Sequence, residues 1–164
     1  MASTQPIVRQ IKYISLLPQL LVYAFLIFIY YLLGVEDPLF FGIITYLVIS
    51  FSIRNIIPIH HRRGVRFYKN KEYEKAIVEF QKSYIFFENH RWIDTYRFIV
   101  LLSSSRVSYI EMSLINMAFC YGQTGNGLKS KELYERTLSD YPDSQMAKTA
   151  LKMYEAAKDI DKEV

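Results

Sequence analysis

The sequence predicts an all-α protein, with an apolar helical hairpin at the front and a small helical domain behind it. Three observations carry this reading. Ile14–Leu33 is a 20-residue apolar run interrupted only by Ser15, Pro18 and Gln19. A second apolar run, Leu39–Ile53, follows the break GVEDP. From His60 onward, apolar and small residues recur at helical spacing, aromatic residues are many, and Gly and Pro are few.

Met1–Lys12 is polar and places Arg9 and Lys12 just ahead of the first run. At 1.5 Å per residue that run makes roughly 30 Å of helix, the thickness of a bilayer's hydrocarbon core. Pro18 falls in its first turn, where a missing N–H costs little. Gly34 and Pro38 suit a helix stop and a tight reversal. The second run reaches only about 23 Å, so it spans less convincingly unless Arg54 snorkels and Ile56 and Ile57 stay at the interface. Gly42, Thr45, Ser50 and Ser52 lie on this second helix, and small residues of that kind permit close helix contact in lipid.

The charge is unevenly placed. Up to residue 66, Arg9, Lys12, Arg54, Arg62, Arg63 and Arg66 face only Glu36 and Asp37, while the remainder is neutral overall. The excess therefore flanks the hairpin, and its connection carries acidic residues alone. This predicts a two-pass integral membrane protein with both termini cytoplasmic and with Arg9, Lys12, Arg54, Arg62, Arg63 and Arg66 at the membrane interface. The bacterial inner membrane is preferred over that of a eukaryotic organelle. No basic stripe on the helical domain suggests nucleic acid as a partner. One cysteine, Cys120, cannot form an internal disulfide, and no cleavable signal pattern opens the chain.

Behind the hairpin, HRRGVRFYKNKEYEKAIVEFQKSYIFF sets Gly64, Phe67, Ala76, Phe80 and Ser83 on the inner faces of two short helices, with Asn70 and Lys71 near the turn. The stretch LINMAFCYGQTGNGLKSKELYERTLSDYPDS repeats this 54 residues later with Ala118, Tyr121, Ser130, Tyr134 and Thr137. Gly125 and Gly127 mark its turn, and Pro142 stops its second helix. Both stretches resemble tetratricopeptide repeats, helix–turn–helix units of about 34 residues. The second copy matches better, because Leu114 and Pro142 also fall in place; the first has His60 and Glu88 where the motif favours Trp and Pro.

The resemblance implies a short α-solenoid over 57–158, with repeats at about 57–90 and 111–144, an insert at 91–110 and a capping helix at 143–157. The hairpin domain is then 1–56 and the polar tail 159–164. In the insert, Trp92, Tyr96, Ile99 and Val100 form an apolar stripe flanked by Arg91, Arg97 and Arg106. Two placements are open for it: a lengthened helix buried in the repeat stack, or an aromatic and basic segment on the lipid surface. The last helix has Met146, Ala147, Ala150, Leu151 and Tyr154 on one side, and Asp143 or Ser144 can cap its start.

No catalytic or metal-binding pattern emerges, and no cofactor is expected. His60 and His61 are adjacent, so on a helix their side chains diverge by about 100°. His90 is isolated, and Cys120 sits on a helix that should be buried. GQTGNG lacks the lysine of a phosphate loop and occupies a helix–helix turn. In tetratricopeptide proteins the first helix of each repeat lines a groove that grips a peptide or helix. Position by position, the resemblance gives His61, Val65, Tyr68 and Lys69, then Met112, Ile115, Phe119, Gly122 and Gln123, as a protein-binding groove. His61 and Val65 replace the Lys and Asn with which the chaperone-binding subfamily clamps a terminal carboxylate. The implied function is a non-catalytic membrane-anchored adaptor or scaffold for a protein partner. The alternative is an accessory subunit that docks through its hairpin into a larger transporter, channel or membrane enzyme; self-association is left open.

Overall fold

The computed structural model describes Leu16–Leu101, Ser103, Ser105 and Val107–Glu163. Among these residues the chain is all-helical: α1 (Leu16–Leu32), α2 (Pro38–Ile56), α3 (Ile59–Lys69), α4 (Tyr73–Asn89), α5 (Arg91–Thr95), α6 (Arg97–Val100), α7 (Tyr109–Gln123), α8 (Gly127–Asp140) and α9 (Gln145–Glu163). Two compact units contain them. One comprises the chain up to Ile57 together with Trp92–Ser108; the other comprises Pro58–Arg91 and Tyr109 onward.

In the first unit, α1 and α2 pack against each other. Gly34 adopts a left-handed φ of 68° at the reversal, a conformation that costs glycine nothing. Pro38 opens α2 at its first position, where it loses no helical hydrogen bond. The 19 residues of Pro38–Ile56 are long and apolar enough to cross a membrane, and only 11% of their apolar window is buried within the protein. Among the described residues the second run thus reaches further than the sequence expectation gave it. The second helix continues past Ile53 through Arg54–Ile56, until Pro58 withholds an N–H, whereas the described part of α1 is apolar over Leu17–Leu32. Gly42 sits against α1, where a Cβ would lie 3.0 Å from Ile27 Cγ1. Nearby, the Tyr30 hydroxyl and Thr45 Oγ1 share a hydrogen bond at 2.7 Å.

The insert is not a lengthened helix in the repeat stack. It forms the short α5 and α6; Trp92–Ser108 groups with the hairpin and α6 packs on α1, whereas Tyr109 and Ile110 already belong to α7 of the second unit.

In the second unit each helix packs mainly on the next: α3 on α4, α4 on α7, α7 on α8 and α8 on α9. Small residues stand where helices cross. Ala76, Ser83, Ala118, Ser130 and Thr137 are buried, as is Gly64 under the Phe80 ring. The two interhelical turns have the same hydrogen bonds. Lys71 N–H donates to Tyr68 O and Glu72 N–H to Phe67 O; 54 residues on, Gly125 N–H donates to Gly122 O and Asn126 N–H to Tyr121 O. Lysine and carboxylate side chains pair along the outer helix faces, as in Lys75–Glu72 and Lys131–Glu135. Met146, Ala150, Leu151 and Tyr154 of α9 pack on the cluster of Ile115, Ala118, Tyr134 and Ala147. This helix runs on to Glu163, into the segment expected to be a polar tail. Ser144 does not cap it through its side chain, because its Oγ is buried without a hydrogen-bond partner.

Candidate functional site

The groove positions lie on α3 and α7, which also touch each other. Val65, Tyr68, Met112 and Phe119 are half-buried, while Lys69, Gly122 and Gln123 are exposed. The centre of this face is aromatic: Tyr68 meets Phe119 edge-on with ring centroids 5.4 Å apart, and Tyr73 at 6.2 Å. T-shaped arrangements of this kind are among those that aromatic pairs prefer. Burial pushes the Tyr68 phenol up from its ordinary pKa, with the neighbouring Tyr73 adding to this, so it stays a neutral hydrogen-bond donor near pH 7.

Two of the expected groove residues face elsewhere. Ile115 is 2% exposed and belongs to the core under α9. His61 is 8% exposed, with Phe80 at 5.5 Å and Tyr109 edge-on at 5.3 Å. Tyr109 in turn stacks on Phe87 at 4.6 Å. His61 Nδ1 has no partner in this aromatic setting, and burial lowers its pKa to about 4, so the ring is neutral. The accessible groove positions therefore reduce to half-buried Val65, Tyr68, Met112 and Phe119 with exposed Lys69, Gly122 and Gln123.

Sequence reasoning passed over three side chains that shape this region. Tyr109 closes over His61, although nothing in its sequence neighbourhood marks it out. Ser113 donates from Oγ to the Tyr109 carbonyl at 2.7 Å and shares a hydrogen bond with Ser83 Oγ at 3.0 Å, linking α4 to α7. Glu79 is buried next to His60 and Lys82. Burial pushes its carboxyl up, but hydrogen bonds from Lys82 and His60, each 2.8 Å long, outweigh that and hold its pKa below the ordinary value.

Of the expected interface cations, Arg54 lies in the last turn of α2, and Arg62, Arg63 and Arg66 are exposed on α3, which carries no acidic residue. Arg9, Lys12 and Arg106 lie outside the described residues. The Cys120 thiol is buried, and burial raises its pKa to about 12, so it is neither a thiolate nor reachable. Among the described residues no three His, Cys, Asp or Glu side chains gather in a way that could hold a metal ion. The chain matches no protein-family model, no curated protein and no solved structure.

Proposed function

We propose that this protein is a membrane-anchored adaptor of tetratricopeptide-repeat type. In this reading α1 and α2 cross the bilayer with both termini on the cytoplasmic side, and the helical unit holds a protein partner without catalysing a reaction. The observation that carries it is the equivalence of the two helix–turn–helix pairs. Corresponding residues make the same turn hydrogen bonds, and the small positions of the motif are buried at the helix crossings. Repeats of this kind stack to bury one face and offer the other to a ligand. The anchor is supported by the large apolar side chains that α1 and α2 leave exposed, among them Leu21, Phe25, Phe28, Leu47 and Phe51. That is far more apolar surface than a water-facing hairpin tolerates.

The test is affinity recovery of the detergent-solubilised full chain. Phe119→Asp, on the aromatic face, is expected to lose a partner that the native chain and Leu128→Asp, an exposed control outside that face, both retain. Circular dichroism first establishes that each variant is folded. Equal recovery by Phe119→Asp would move the contact to the hairpin, and the protein would then be an accessory subunit of a larger membrane complex. Gly42 weighs against that second reading, because it is used in packing against α1.

A further inference from the structure

Residues 92–100 bury Ile93 but expose three large apolar side chains. Trp92, Tyr96 and Ile99 are 57%, 58% and 54% exposed. Tyr96 N–H donates to Trp92 O and Ile99 N–H to Tyr96 O, so the three residues follow one another at intervals of one turn along α5 and α6. Polar groups on the same segment are turned inward. Asp94 is 3% exposed. The Arg97 guanidinium donates to the Asp94 carbonyl at 2.8 Å and to the Ser105 carbonyl at 3.1 Å, and it lies 4.7 Å from the centre of the Phe98 ring. Three large apolar side chains left exposed beside a buried carboxylate are unusual for a surface that faces water.

Two facts indicate the medium. The segment groups with α1 and α2, whose own apolar side chains are exposed, and α6 packs directly on α1. Its outward face combines tryptophan, tyrosine and isoleucine, and rings with an apolar body and a polar edge concentrate at the level of lipid headgroups.

We propose that Trp92, Tyr96 and Ile99 insert into the headgroup–acyl boundary of the bilayer, making this segment an interfacial attachment additional to the hairpin. The proposal rests on the reading of α1 and α2 as membrane helices. With three anchoring side chains and no helix of spanning length, the segment would sit about 5–10 Å deep and parallel to the surface.

Trp92 is the sole tryptophan, so the unmodified full chain reports on the site. The protein is reconstituted into phosphatidylcholine–phosphatidylglycerol vesicles, and flotation establishes that it is membrane-held. Trp92 emission is then read with aqueous iodide and with lipids brominated either near the headgroup end or near the end of the acyl chain. The expected result is little iodide quenching and quenching by shallow bromines at least roughly twofold that by deep ones. Floating protein whose Trp92 is quenched by iodide and ignored by bromine would overturn the interfacial attachment and leave the anchor intact. Protection from both quenchers would also overturn it, because Trp92 would then be covered by protein. Protein that fails to float would overturn the anchor and this inference together.

Discussion

Lys71 and Gly125 hold the same place in two successive turns and share one backbone conformation, with φ of 61° and 80°. Only one of them suits it. An L-residue in the left-handed region crowds its Cβ against the following carbonyl, a cost of about 1–2 kcal/mol that glycine escapes. Lys71→Gly is therefore expected to stabilise the helical unit by about 1 kcal/mol, and Gly125→Ala to destabilise it by a similar amount. Nothing lies within 4 Å of a Cβ built on Gly125, so the second effect is conformational and not steric. Thermal melts of the two variants in mild detergent should shift in opposite directions; shifts of the same sign would mean that the turns are not equivalent.

Gly64 presents the opposite case, in which conformation is ordinary and space is lacking. A Cβ there would stand 2.7 Å from Phe80 Cδ1, and Phe80 is itself fully buried. Gly64→Ala gains up to about 1 kcal/mol of helix propensity but forces overpacking that costs about 1–3 kcal/mol. Net destabilisation is expected, and Phe80→Leu should absorb part of it. A double-mutant cycle reads this directly: the two substitutions together should cost less than the sum of each alone. Strict additivity would show that the methyl group is accommodated without moving the ring.

His61 makes stability depend on pH. Its pKa is lowered to about 4 by burial, against about 6.5 when unfolded. Between those values the unfolded chain binds more protons than the folded one, so stability is full above pH 6.5 and falls as pH drops towards 4. The loss approaches about 3 kcal/mol, at 1.36 kcal/mol per unit. Glu79 has the opposite ionisation but adds to the acid loss: its lowered carboxyl pKa gives stability that is present above the ordinary carboxyl range and lost as pH falls below it. His61→Leu should flatten the upper part of the profile and Glu79→Gln the lower part, as followed by urea unfolding at stepped pH. An unchanged slope between pH 6.5 and 4 in His61→Leu would show that another group is responsible.

Helical periodicity made the all-α character legible, because it states which residues share a face. It does not state what that face meets. Spacing sets Trp92, Tyr96, Ile99 and Val100 on one helical stripe and leaves open whether it meets a repeat core or lipid; the structure divides the stripe between α5 and α6 and leaves Trp92, Tyr96 and Ile99 exposed, with Val100 half-buried. Position in the motif assigns Ile115 and His61 to a groove. What buries them is α9 in one case and Tyr109 in the other, both distant in sequence. The end of α2 was missed for a local reason. Arg54 and Asn55 broke the apolar run, but neither breaks a helix, and the stop came only at Pro58. Glu79 and the Ser83–Ser113 bond gave no signal, since isolated polar residues on helices are usually solvated.

The hairpin offers a last measurable contact, the hydrogen bond between Tyr30 and Thr45. If α1 and α2 are membrane helices, as proposed, neither hydroxyl has water as an alternative, but each can still find other partners when the helices separate, so the net gain is modest. Interhelical bonds of this type average about 0.6 kcal/mol and reach about 1.7. Tyr30→Phe and Thr45→Val remove the two hydroxyls while keeping the shape of each side chain. Unfolding of the full chain in mixed micelles by added dodecyl sulfate should give a coupling energy in that range for the pair. Gly42 supplies the control, because a larger side chain there meets Ile27 at close range. Gly42→Leu should separate the helices and abolish the Tyr30–Thr45 coupling. Coupling that survives Gly42→Leu would mean that the two hydroxyls are held together by something other than the packing of α1 on α2.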